Sequence, residues 1–385
     1  MATSRVRLSD VAKAAGVSPT TASFVLNDRC ESIPAETQQR VLDAARRLHY
    51  RPHIAARALA TGRTRRIGIV LNQPESFSTN DTYFAEILAG IIRRATEHDR
   101  NVLLLSAHYT TWRSLFADIT GGAVDGVLQI SRFVSDELTP ALIEAEFPLV
   151  CVSFRTDDER CLSVDCDNES GGYLAARHLV ELGHTRIAVL YPGDVLSWGR
   201  ERLAGIRRAV VEAGLSPDGL QVRAWDEKRL PEPTWVRDAV EWFRTLDPRP
   251  TAVICCDEIR ARMVAEMLPV AGLSVPEDVS VVSFNSTEIS DRCIPPLTSV
   301  RQPLPEIGRA AVDVLLERIR GGTFDASVVQ FPMSLDIRQS TRRPRCAAST
   351  GASLIKATGK TRMRSREASG IRSRTRARKD QEHGE

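Results

Sequence analysis

Long apolar runs are missing from this chain of 385 residues. No stretch approaches the roughly 18 apolar residues of a membrane-spanning helix, and the first residues, MATSRVRLSD, lack the apolar core of a secretion signal. The eight cysteines are scattered without the paired spacings of a zinc site, and most lie in apolar runs where a thiol behaves as a small buried side chain. We therefore expect a cytoplasmic protein that contacts no membrane and needs no metal or other cofactor.

The motifs of the common enzyme classes are missing too. The sequence has no GxGxxG after a strand, no Walker loop and no GxSxG. The pair Gly171–Gly172 alone is too weak a signal to indicate a phosphate site. We therefore predict that the chain is not an enzyme.

Acidic residues are outnumbered at both ends of the chain but not in its middle. Residues 1–66 hold 12 basic and 5 acidic side chains, residues 67–340 hold 27 and 40, and residues 341–385 hold 13 and 4. A basic head on an acidic body is typical of a nucleic-acid-binding domain joined to a sensing domain, although chance asymmetry is an alternative. The tail, residues 341–385, has almost no large apolar residues and is expected to be disordered. It either attracts DNA non-specifically or has no specific role.

The stretch DVAKAAGVSPTTASFVLN predicts two short helices joined by a sharp turn. Gly16 is suited to end the first helix in a left-handed conformation, and Ser18 followed by Pro19 is a favourable start for the second. Apolar residues recur at helical spacing in both helices and in a third one further on: Leu8, Val11, Ala12, Ala15, Ala22, Val25, Leu26, Val41, Leu42, Ala45 and Leu48. This pattern indicates a helix-turn-helix domain or another small three-helix bundle.

From Arg66 onward, short apolar strands alternate with amphipathic helices. The strands fall into two sets, RIGIVLN (66–72), NVLLLSA (101–107), VDGVLQI (124–130), FPLVCVSF (147–154) and CLSVDCD (161–167), then RIAVLYPG (186–193), QVRAW (221–225), TAVICCD (251–257) and VSVVSFN (279–285). Continuous Val, Ile and Leu runs between helices are typical of parallel sheets covered on both faces. The fold class is therefore α/β, with two doubly wound parallel sheets behind an all-α head, and ligands are expected at the carboxyl ends of the strands.

Several separated motifs resemble, in order, those of the lac repressor/galactose repressor family of bacterial transcription regulators. They are LSDVAKAAGVS, VLN, RVLDAARRLHYRP and ARALATGRTRRIGIV, and the likeness runs from about Leu8 to Ser340. The resemblance implies a homodimer that binds a palindromic DNA operator and commonly represses transcription. It also implies allosteric control by a small metabolite, a carbohydrate or a derivative of one. An exported solute-binding protein with the same core is an alternative that the basic head and the absent signal disfavour.

The resemblance also implies the domain boundaries. A helix-turn-helix domain (1–51) and a hinge helix or linker (52–65) precede a two-lobed core of the type I periplasmic-binding-protein kind (66–340) and the tail. The first lobe would comprise about 66–165 and 296–327, and the second about 166–295 and 328–340. The chain would then cross between the lobes near Asp165, Pro295 and Val328.

In a helix-turn-helix domain, the second helix enters the major groove with its N-terminal residues towards the bases. The expected DNA contacts are Ser18, Pro19, Thr20, Thr21, Ser23, Phe24 and Asn27, joined by His53, Arg57 and Leu59 of the hinge. Phe24 stands where the family commonly has an arginine, so it either contacts thymine methyl groups or packs against its own domain. Leu59 matches the leucine that the family wedges between base steps in the minor groove, the alternative being an ordinary linker residue. His53 replaces the usual asparagine.

The resemblance places the effector between the lobes. The expected contacts are Asn72, Phe77, Ser153, Arg202, Trp225, Cys256 and Asn285, whereas Asp257 and Arg301 are expected to be structural. Sugar-binding members often carry aspartates at the positions of Ser153 and Asn285 and an asparagine at that of Cys256. This departure disfavours a neutral hexose of the usual kind and favours an anionic or otherwise modified metabolite. Arg202 could instead form a surface ion pair, and Trp225 could belong to the core.

Overall fold

The structure of the protein is a computed structural model. It describes residues 6–27, 32–50, 62–71, 82–105, 111–130, 137–194, 196–225, 233–324 and 327–345. Within these ranges, no helix is both long enough and apolar enough to cross a lipid bilayer. Five residues with predicted roles lie outside them, namely His53, Arg57, Leu59, Asn72 and Phe77.

Among the described residues of the N-terminal head are three short helices, α1 (Leu8–Ala15), α2 (Pro19–Leu26) and α3 (Ala35–Arg47). Gly16 ends α1 at a φ of 65°, a conformation that glycine adopts without strain. The Ser18 Oγ accepts a hydrogen bond from the Thr21 N–H at 3.0 Å and so caps the start of α2. The core of the head is made of small and β-branched side chains, Val11, Ala12, Ala15, Ala22, Val25, Val41, Ala44 and Ala45. The predicted helix-turn-helix arrangement is confirmed.

The first lobe is built on a parallel sheet of six strands. In spatial order they are β11 (Val328–Phe331), β5 (Leu162–Cys166), β4 (Leu149–Val152), β3 (Gly126–Ile130), β1 (Arg66–Leu71) and β2 (Asn101–Leu105). Helices α4 (Thr82–Glu97) and α12 (Leu304–Ile319) accompany it, with α5 (Trp112–Asp118), a π-helical turn (Ile119–Ala123) and α6 (Leu138–Glu144). Neighbouring residues of β3, Val127 and Leu128, belong to different apolar clusters, because successive side chains point to opposite faces. Both faces of the sheet are therefore covered.

The second lobe repeats this plan with another six-stranded sheet. In spatial order its strands are β12 (Ser334–Asp336), β10 (Thr298–Arg301), β9 (Ser280–Asn285), β8 (Ala252–Cys255), β6 (Ile187–Tyr191) and β7 (Leu220–Ala224). Among the strand pairings of this sheet that the structure describes, only that of β12 with β10 is antiparallel. The helices are α7 (Asn168–Glu181), α8 (Ser197–Glu212), α9 (Pro233–Thr245), α10 (Glu258–Val270) and α11 (Glu288–Arg292), with a 3₁₀ turn at Pro217–Gly219. The predicted doubly wound α/β class is confirmed.

In the part of the chain that the structure describes, three crossings connect the lobes, and two of them differ from those expected. The first follows β5 at Asp167, close to the expected Asp165. The crossing expected near Pro295 occurs only after Arg301, because β10 first pairs with β9 of the second lobe. The crossing expected near Val328 occurs after Phe331, because β11 first pairs with β5. Both strands are only four residues long, and β10 has the mostly polar sequence Thr-Ser-Val-Arg. A run of that length does not indicate which sheet edge it will join.

The expected start of the tail, at residue 341, is too early. The backbone N–H of Arg342 donates to Ser280 Oγ at 3.0 Å, and Thr341 Oγ1 lies 2.9 Å from His178 Nε2. Arg345 forms an ion pair with Asp278 at 3.1 Å. The second lobe therefore holds the chain through Arg345 by polar contacts, which an analysis of apolar periodicity overlooks.

Glycines allow two pairs of helices to pack backbone against backbone. A Cβ atom on Gly205 of α8 would overlap the carbonyl oxygen of Glu169 in α7, and one on Gly172 of α7 would overlap that of Arg202. The first lobe repeats the arrangement between α4 and α12, at Gly90 and Gly308. In the second lobe this contact fixes the position of α8, which begins at the cleft described below.

Candidate DNA-binding surface and interlobe cleft

The N-terminal half of α2 is the exposed face of the head at which DNA contact is expected. Ser18, Pro19 and Thr20 are exposed, whereas Thr21 and Ser23 are half-buried. Phe24 has 44% of its surface exposed, so its ring is not part of the apolar core of the head. Ala22 and Val25 alternate with these residues and face that core. The helix thus presents small hydroxyl side chains and one aromatic ring to solvent.

Three of the expected DNA contacts, Ser18, Thr21 and Asn27, also form hydrogen bonds at the ends of α2. Ser18 Oγ and Thr21 Oγ1 lie 2.8 Å apart, so these hydroxyls hold the first turn as well as facing outward. Asn27 Nδ2 donates to the Ser23 carbonyl at 2.8 Å, which turns the amide back onto the end of the helix. The side chains of Thr20 and Phe24 are therefore the ones best presented for reading bases.

A small cavity of about 150 Å³ lies where the two lobes face each other. Its lining comes from strand carboxyl ends and from helix N-termini, namely Tyr83, Phe84, Ser153, Asp165, Trp198, Arg202, Asp257, Glu258, Ile259, Arg260, Asn285, Ile289 and Gln302. Parallel strands collect their connecting loops at this edge, which is where open α/β sheets bind ligands. We call this site the interlobe cleft.

Arg202 on α8 is the central cation of the cleft. Its side chain is buried, its Nε donates to Asn168 Oδ1 at 3.0 Å, and its Nη1 donates to the Cys256 carbonyl at 2.5 Å. The guanidinium carbon stands 4.3 Å from the Phe284 ring centre and 4.7 Å from that of Trp198, a stacked arrangement that favours a cation. The alternative of a surface ion pair is therefore wrong.

The other expected effector residues that the structure describes fall into two groups. Ser153 and Asn285 line the cleft, and Asn285 Oδ1 accepts a hydrogen bond from Gln302 Nε2 at 2.6 Å. Cys256 reaches the site only through the carbonyl bound to Arg202. Trp225 is 5% exposed and does not line the cleft.

Trp225 is covered by other side chains instead of facing a ligand. The Arg260 guanidinium stands 4.2 Å from its ring centre, and the Trp235 ring meets it edge-on at 6.1 Å. Arg260 in turn forms a 2.6 Å ion pair with Asp257, whose carboxylate caps the N-terminus of α10. In this arrangement Arg260 lies between Trp225 and the cleft, so the core interpretation of Trp225 fits the structure. Arg301 pairs with Asp336 at 2.6 Å, in keeping with a structural role.

A second charged group, which sequence reasoning missed, joins the lobes beside Arg202. Arg155 follows β4 in the first lobe, and its guanidinium lies 3.8 Å from Asp165 and 3.5 Å from Glu201 of α8. Burial raises the pKa of Glu201, against the effect of the nearby Arg155. Burial likewise raises the pKa of Asp165 to about 6, although the Cys166 N–H and the nearby arginines oppose the shift. Asp165 is the penultimate residue of β5, and nothing in the sequence indicates which charged groups surround it.

This buried carboxyl predicts a pH-dependent stability. Because the folded-state pKa lies above the unfolded value of about 3.8, the stabilising contribution is complete below that value and is lost as the pH rises through 6. Replacing Asp165→Asn removes this loss. We expect the difference in unfolding free energy, variant minus parent, to increase by about 2–3 kcal/mol between pH 4 and pH 7.5, as measured by urea denaturation.

The control for this measurement is Asp238→Asn, at an exposed aspartate on α9. It should leave the pH dependence of the parent unchanged. If the unfolding free energies of Asp165→Asn and of the parent changed with pH in the same way, Asp165 would not titrate in this range.

Glu258 lines the cleft but is committed to the fold. Its carboxylate accepts hydrogen bonds from the Thr287 N–H at 2.9 Å, from Thr287 Oγ1 at 2.6 Å, and from the N–H and hydroxyl of Ser290. Burial raises its pKa, and these hydrogen bonds oppose the rise. Glu258 therefore ties α10 to α11 and has little capacity left for a ligand. Among the residues that the structure describes, no three His, Cys, Asp or Glu side chains come together as metal ligands.

Both the N-terminal head and the core match models of known protein families. Residues 7–53 match the model for bacterial regulatory proteins of the lacI family, and residues 176–341 match that for the periplasmic binding protein-like domain. The HTH-type transcriptional repressor PurR of Vibrio campbellii is 30% identical over 343 residues, covering 87% of this chain and 98% of its own.

Two solved structures with the same fold contain ligands. The lac repressor dimer bound to operator and the anti-inducer ONPF has a TM-score of 0.71 at 27% identity, covering 88% of this chain and all of its own. The complex of the transcriptional regulator CelR with cellobiose has a TM-score of 0.65 at 28% identity, covering 87% and 100%. These relatives are regulators of transcription, and they pair a DNA-binding head with a ligand-binding core as this chain does. The chain therefore belongs to the lacI family of bacterial regulatory proteins, as a metabolite-controlled DNA-binding repressor and not an enzyme.

Proposed function

We propose that the protein binds a palindromic operator as a homodimer. A carbohydrate bound in the interlobe cleft raises or lowers its affinity for that operator. The observation that carries this proposal is the exposed N-terminal face of α2 on a head that shares its chain with a two-lobed ligand cleft. Repression of chromosomal genes requires access to DNA, so we place the protein in the cytoplasm.

Operator preference is set by Thr20, Ser23 and Phe24 in this proposal. None of the three can bind a guanine edge through paired donors, as an arginine does. The exposed Phe24 ring can contact the methyl group of thymine. Ser18 and Thr21 help to fix the position of the helix by contacting phosphates, which sets register but carries no sequence information. The operator half-site should therefore carry thymine, and not guanine, opposite Phe24.

The hinge supplies the rest of the DNA contact in this proposal. His53 and Arg57 bind the groove edges or phosphates, and Leu59 inserts between base steps at the centre of the palindrome, which kinks the duplex. Two heads related by a dyad then read two half-sites.

Exposed apolar side chains on both lobes of the core are available for contact with a second copy of the chain. In the first lobe, Leu104 is 45% exposed on the edge strand β2, and Ile92 is 46% exposed on the neighbouring helix α4. In the second lobe, Val270 at the end of α10 and Ile294 are 79% and 92% exposed. Burial of such side chains between two copies would stabilise the dimer by about 25 cal/mol for each Å² removed from water. The related lac repressor structure is likewise a dimer on its operator.

The cleft suits a neutral polyhydroxylated ligand. Among the residues that the structure describes, the charged lining consists of Arg202 and Arg260 against Asp165, Asp257 and Glu258, and this set has no excess of positive charge for a phosphate. Amide and hydroxyl groups of Asn285, Gln302 and Ser153 supply both donors and acceptors, and Phe84 and Trp198 provide apolar faces. We therefore favour a neutral carbohydrate over the anionic metabolite that the sequence indicated, and the solved CelR complex holds cellobiose. Asn72 and Phe77 would complete the site from the first lobe.

The proposal is tested by selecting binding sites from a pool of random duplexes with the parent and with Phe24→Arg. The parent should enrich palindromes with thymine at one position of each half-site. Phe24→Arg should enrich guanine at that position by at least about fivefold, because one paired arginine–guanine contact is worth about 1–3 kcal/mol. Sedimentation of the selected complex should show two chains on each duplex.

The matched control is Lys13→Ala, at an exposed position on α1, which should weaken binding without changing the enriched sequence. Identical selections from parent and Phe24→Arg would refute the role of Phe24. Failure of the parent to enrich any sequence, or full affinity of a single chain, would refute the proposed function itself.

A further inference from the structure

Two cysteine side chains meet in the first lobe, away from the surfaces proposed to bind DNA and effector. Cys151 lies in β4 and Cys161 directly before β5, and their sulfur atoms are 3.2 Å apart. Both are reduced thiols and both are buried, with 0% and 4% of their surface exposed. Their neighbours are apolar, including Phe154 and Leu142. Two thiols in van der Waals contact within a packed core are already close to the separation at which a disulfide forms.

One of the two thiols borders a cavity. A pocket of about 500 Å³ in the first lobe is lined by Cys161 together with Ile143, Phe147, Phe324, Arg160 and Arg318, among others, but not by Cys151. A small polar molecule can therefore reach Cys161 from solvent, while Cys151 lies behind it. The two cysteines thus differ in access as an attacking and a resolving thiol do.

We propose that Cys151 and Cys161 form a hydroperoxide-sensitive pair that closes to an intramolecular disulfide. The Cys161 thiolate attacks a peroxide oxygen, which breaks the O–O bond and gives a sulfenic acid and hydroxide. The Cys151 thiol then attacks that sulfur, its proton leaves with the sulfenic hydroxyl as water, and the disulfide forms. With hydrogen peroxide, two thiols and one peroxide are converted into one disulfide and two waters.

The surroundings of Cys161 favour this order of events. The hydrogen bond with Cys151 lowers the pKa of the Cys161 thiol, burial opposes the change, and a hydrogen bond with Thr156 adds to the lowering. Thiolates, not thiols, react with peroxides. The sulfur atoms need to approach by only about 1.2 Å to reach the disulfide bond length of about 2.0 Å. Cys161 can supply most of that movement because it lies in the turn before β5 and not within a strand.

Cys151 and Cys161 flank the loop between β4 and β5, through which the first lobe contacts α8 of the second lobe. This loop carries Ser153 into the cleft. The backbone N–H of Arg155 donates to Ser197 Oγ at 3.2 Å, and its guanidinium pairs with Glu201 at 3.5 Å. Disulfide formation draws Cys161 towards Cys151 and so displaces the C-terminal end of this loop. Oxidation therefore alters the same lobe-to-lobe contact that an effector would alter.

The chemistry is tested on the purified full-length protein, treated with hydrogen peroxide and then alkylated under denaturing conditions. We expect a mass decrease of about 2 Da before alkylation, a peptide containing the Cys151–Cys161 disulfide, and recovery of both thiols with dithiothreitol. Cys161→Ser and Cys151→Ser should abolish the disulfide, whereas Cys293→Ser, at a buried cysteine of the second lobe, should retain it.

Melting curves check that each variant is folded. If either single variant fails to fold, the parent and Cys293→Ser still decide the chemistry through the mapped peptide. The proposed disulfide would be refuted if both thiols of the parent could still be alkylated after peroxide treatment. It would also be refuted if Cys161 were oxidised to sulfonic acid without forming a disulfide.

The effect on DNA binding rests on the proposed function and is measured separately. Operator affinity of the oxidised parent should differ at least fivefold from that of the reduced parent, and dithiothreitol should reverse the change. Cys161→Ser should show no change on peroxide treatment. A mapped disulfide without any change in operator affinity would overturn the coupling. Absence of operator binding in both redox states would instead count against the proposed function, and it would leave the result on the thiols standing.

Discussion

Replacing Arg202→Ala should abolish control by the effector while operator binding without effector persists. The arginine is held by Asn168 and by the Cys256 carbonyl and is stacked between Trp198 and Phe284. Arg202 lines the cleft, so in the proposed function its remaining guanidinium hydrogens would bind the effector with little further loss of side-chain entropy. A hydrogen bond to a charged group contributes about 1.5–3 kcal/mol, so removal should weaken effector binding by up to about 100-fold.

The expected loss of effector affinity also includes the cost of the hydrogen-bond acceptors that lose their donor when Arg202 is replaced. Asn168 Oδ1 and the Cys256 carbonyl lose the donors that satisfy them in a buried site, and unpaired buried acceptors are costly. Because these groups lie in the second lobe beside the cleft, the closed arrangement of the lobes should be disfavoured as well. The operator-binding head is distant in sequence and has its own core, so its intrinsic affinity should change little.

The measurement is calorimetric titration of the parent with a panel of neutral mono- and disaccharides, sugar phosphates and sugar acids, followed by the strongest ligand on Arg202→Ala. Arg207→Ala, at an exposed arginine one and a half turns along the same helix, is the control and should bind like the parent. Effector affinity of Arg202→Ala within threefold of the parent would contradict the central role of Arg202. A response of the parent to anionic ligands alone would contradict the preference for a neutral one.

Replacing Gly205→Ala should destabilise the second lobe by about 3 kcal/mol. Alanine is the better helix former by about 1 kcal/mol, so a gain would be expected at an unconstrained site. Here the new methyl group overlaps the Glu169 carbonyl oxygen and crowds the Tyr173 nitrogen of α7, and neither backbone atom can rotate away. The helices must separate, which costs the packing between them.

Chemical denaturation followed by tryptophan fluorescence measures this loss. Gly121→Ala is the matched control, because its Cβ would meet no atom within 4 Å and its backbone is not in the left-handed region. It should change stability by less than about 1 kcal/mol. Gly172→Ala, which meets the Arg202 carbonyl from the other side, should behave like Gly205→Ala. A stabilised Gly205→Ala protein would show that α7 and α8 do not pack as closely as described.

Local signals in the sequence were sufficient for the head and for the alternation of strands and helices. Gly16 and Ser18 occupy the positions that their backbone chemistry favours, and the apolar spacing of Val11, Ala12 and Ala15 identifies the buried face of α1. These features depend on residues within one or two turns. Local patterns therefore predicted them correctly.

Non-local pairing explains what the sequence did not predict. The crossings after Arg301 and Phe331 depend on which sheet edge a four-residue strand joins. The link from Arg155 to Glu201 joins residues far apart in the chain, and so does the contact of Arg260 with Trp225. Charged side chains at the ends of strands and helices are common, and only the folded arrangement shows which of them face one another.

The three crossings between the lobes lie side by side. Asp167 donates its N–H to the Phe331 carbonyl at 2.9 Å, and Arg301 pairs in register with Ser334. Each crossing is only one or two residues long, at Asp167, Gln302–Pro303 and Pro332–Met333. We expect three short, adjacent connections to restrict the relative motion of the lobes mainly to a hinge rotation. In that case a carbohydrate in the cleft and a Cys151–Cys161 disulfide would both change operator affinity through the angle between the lobes. Operator affinity would then depend on their combined effect on this angle and not on which of the two caused it.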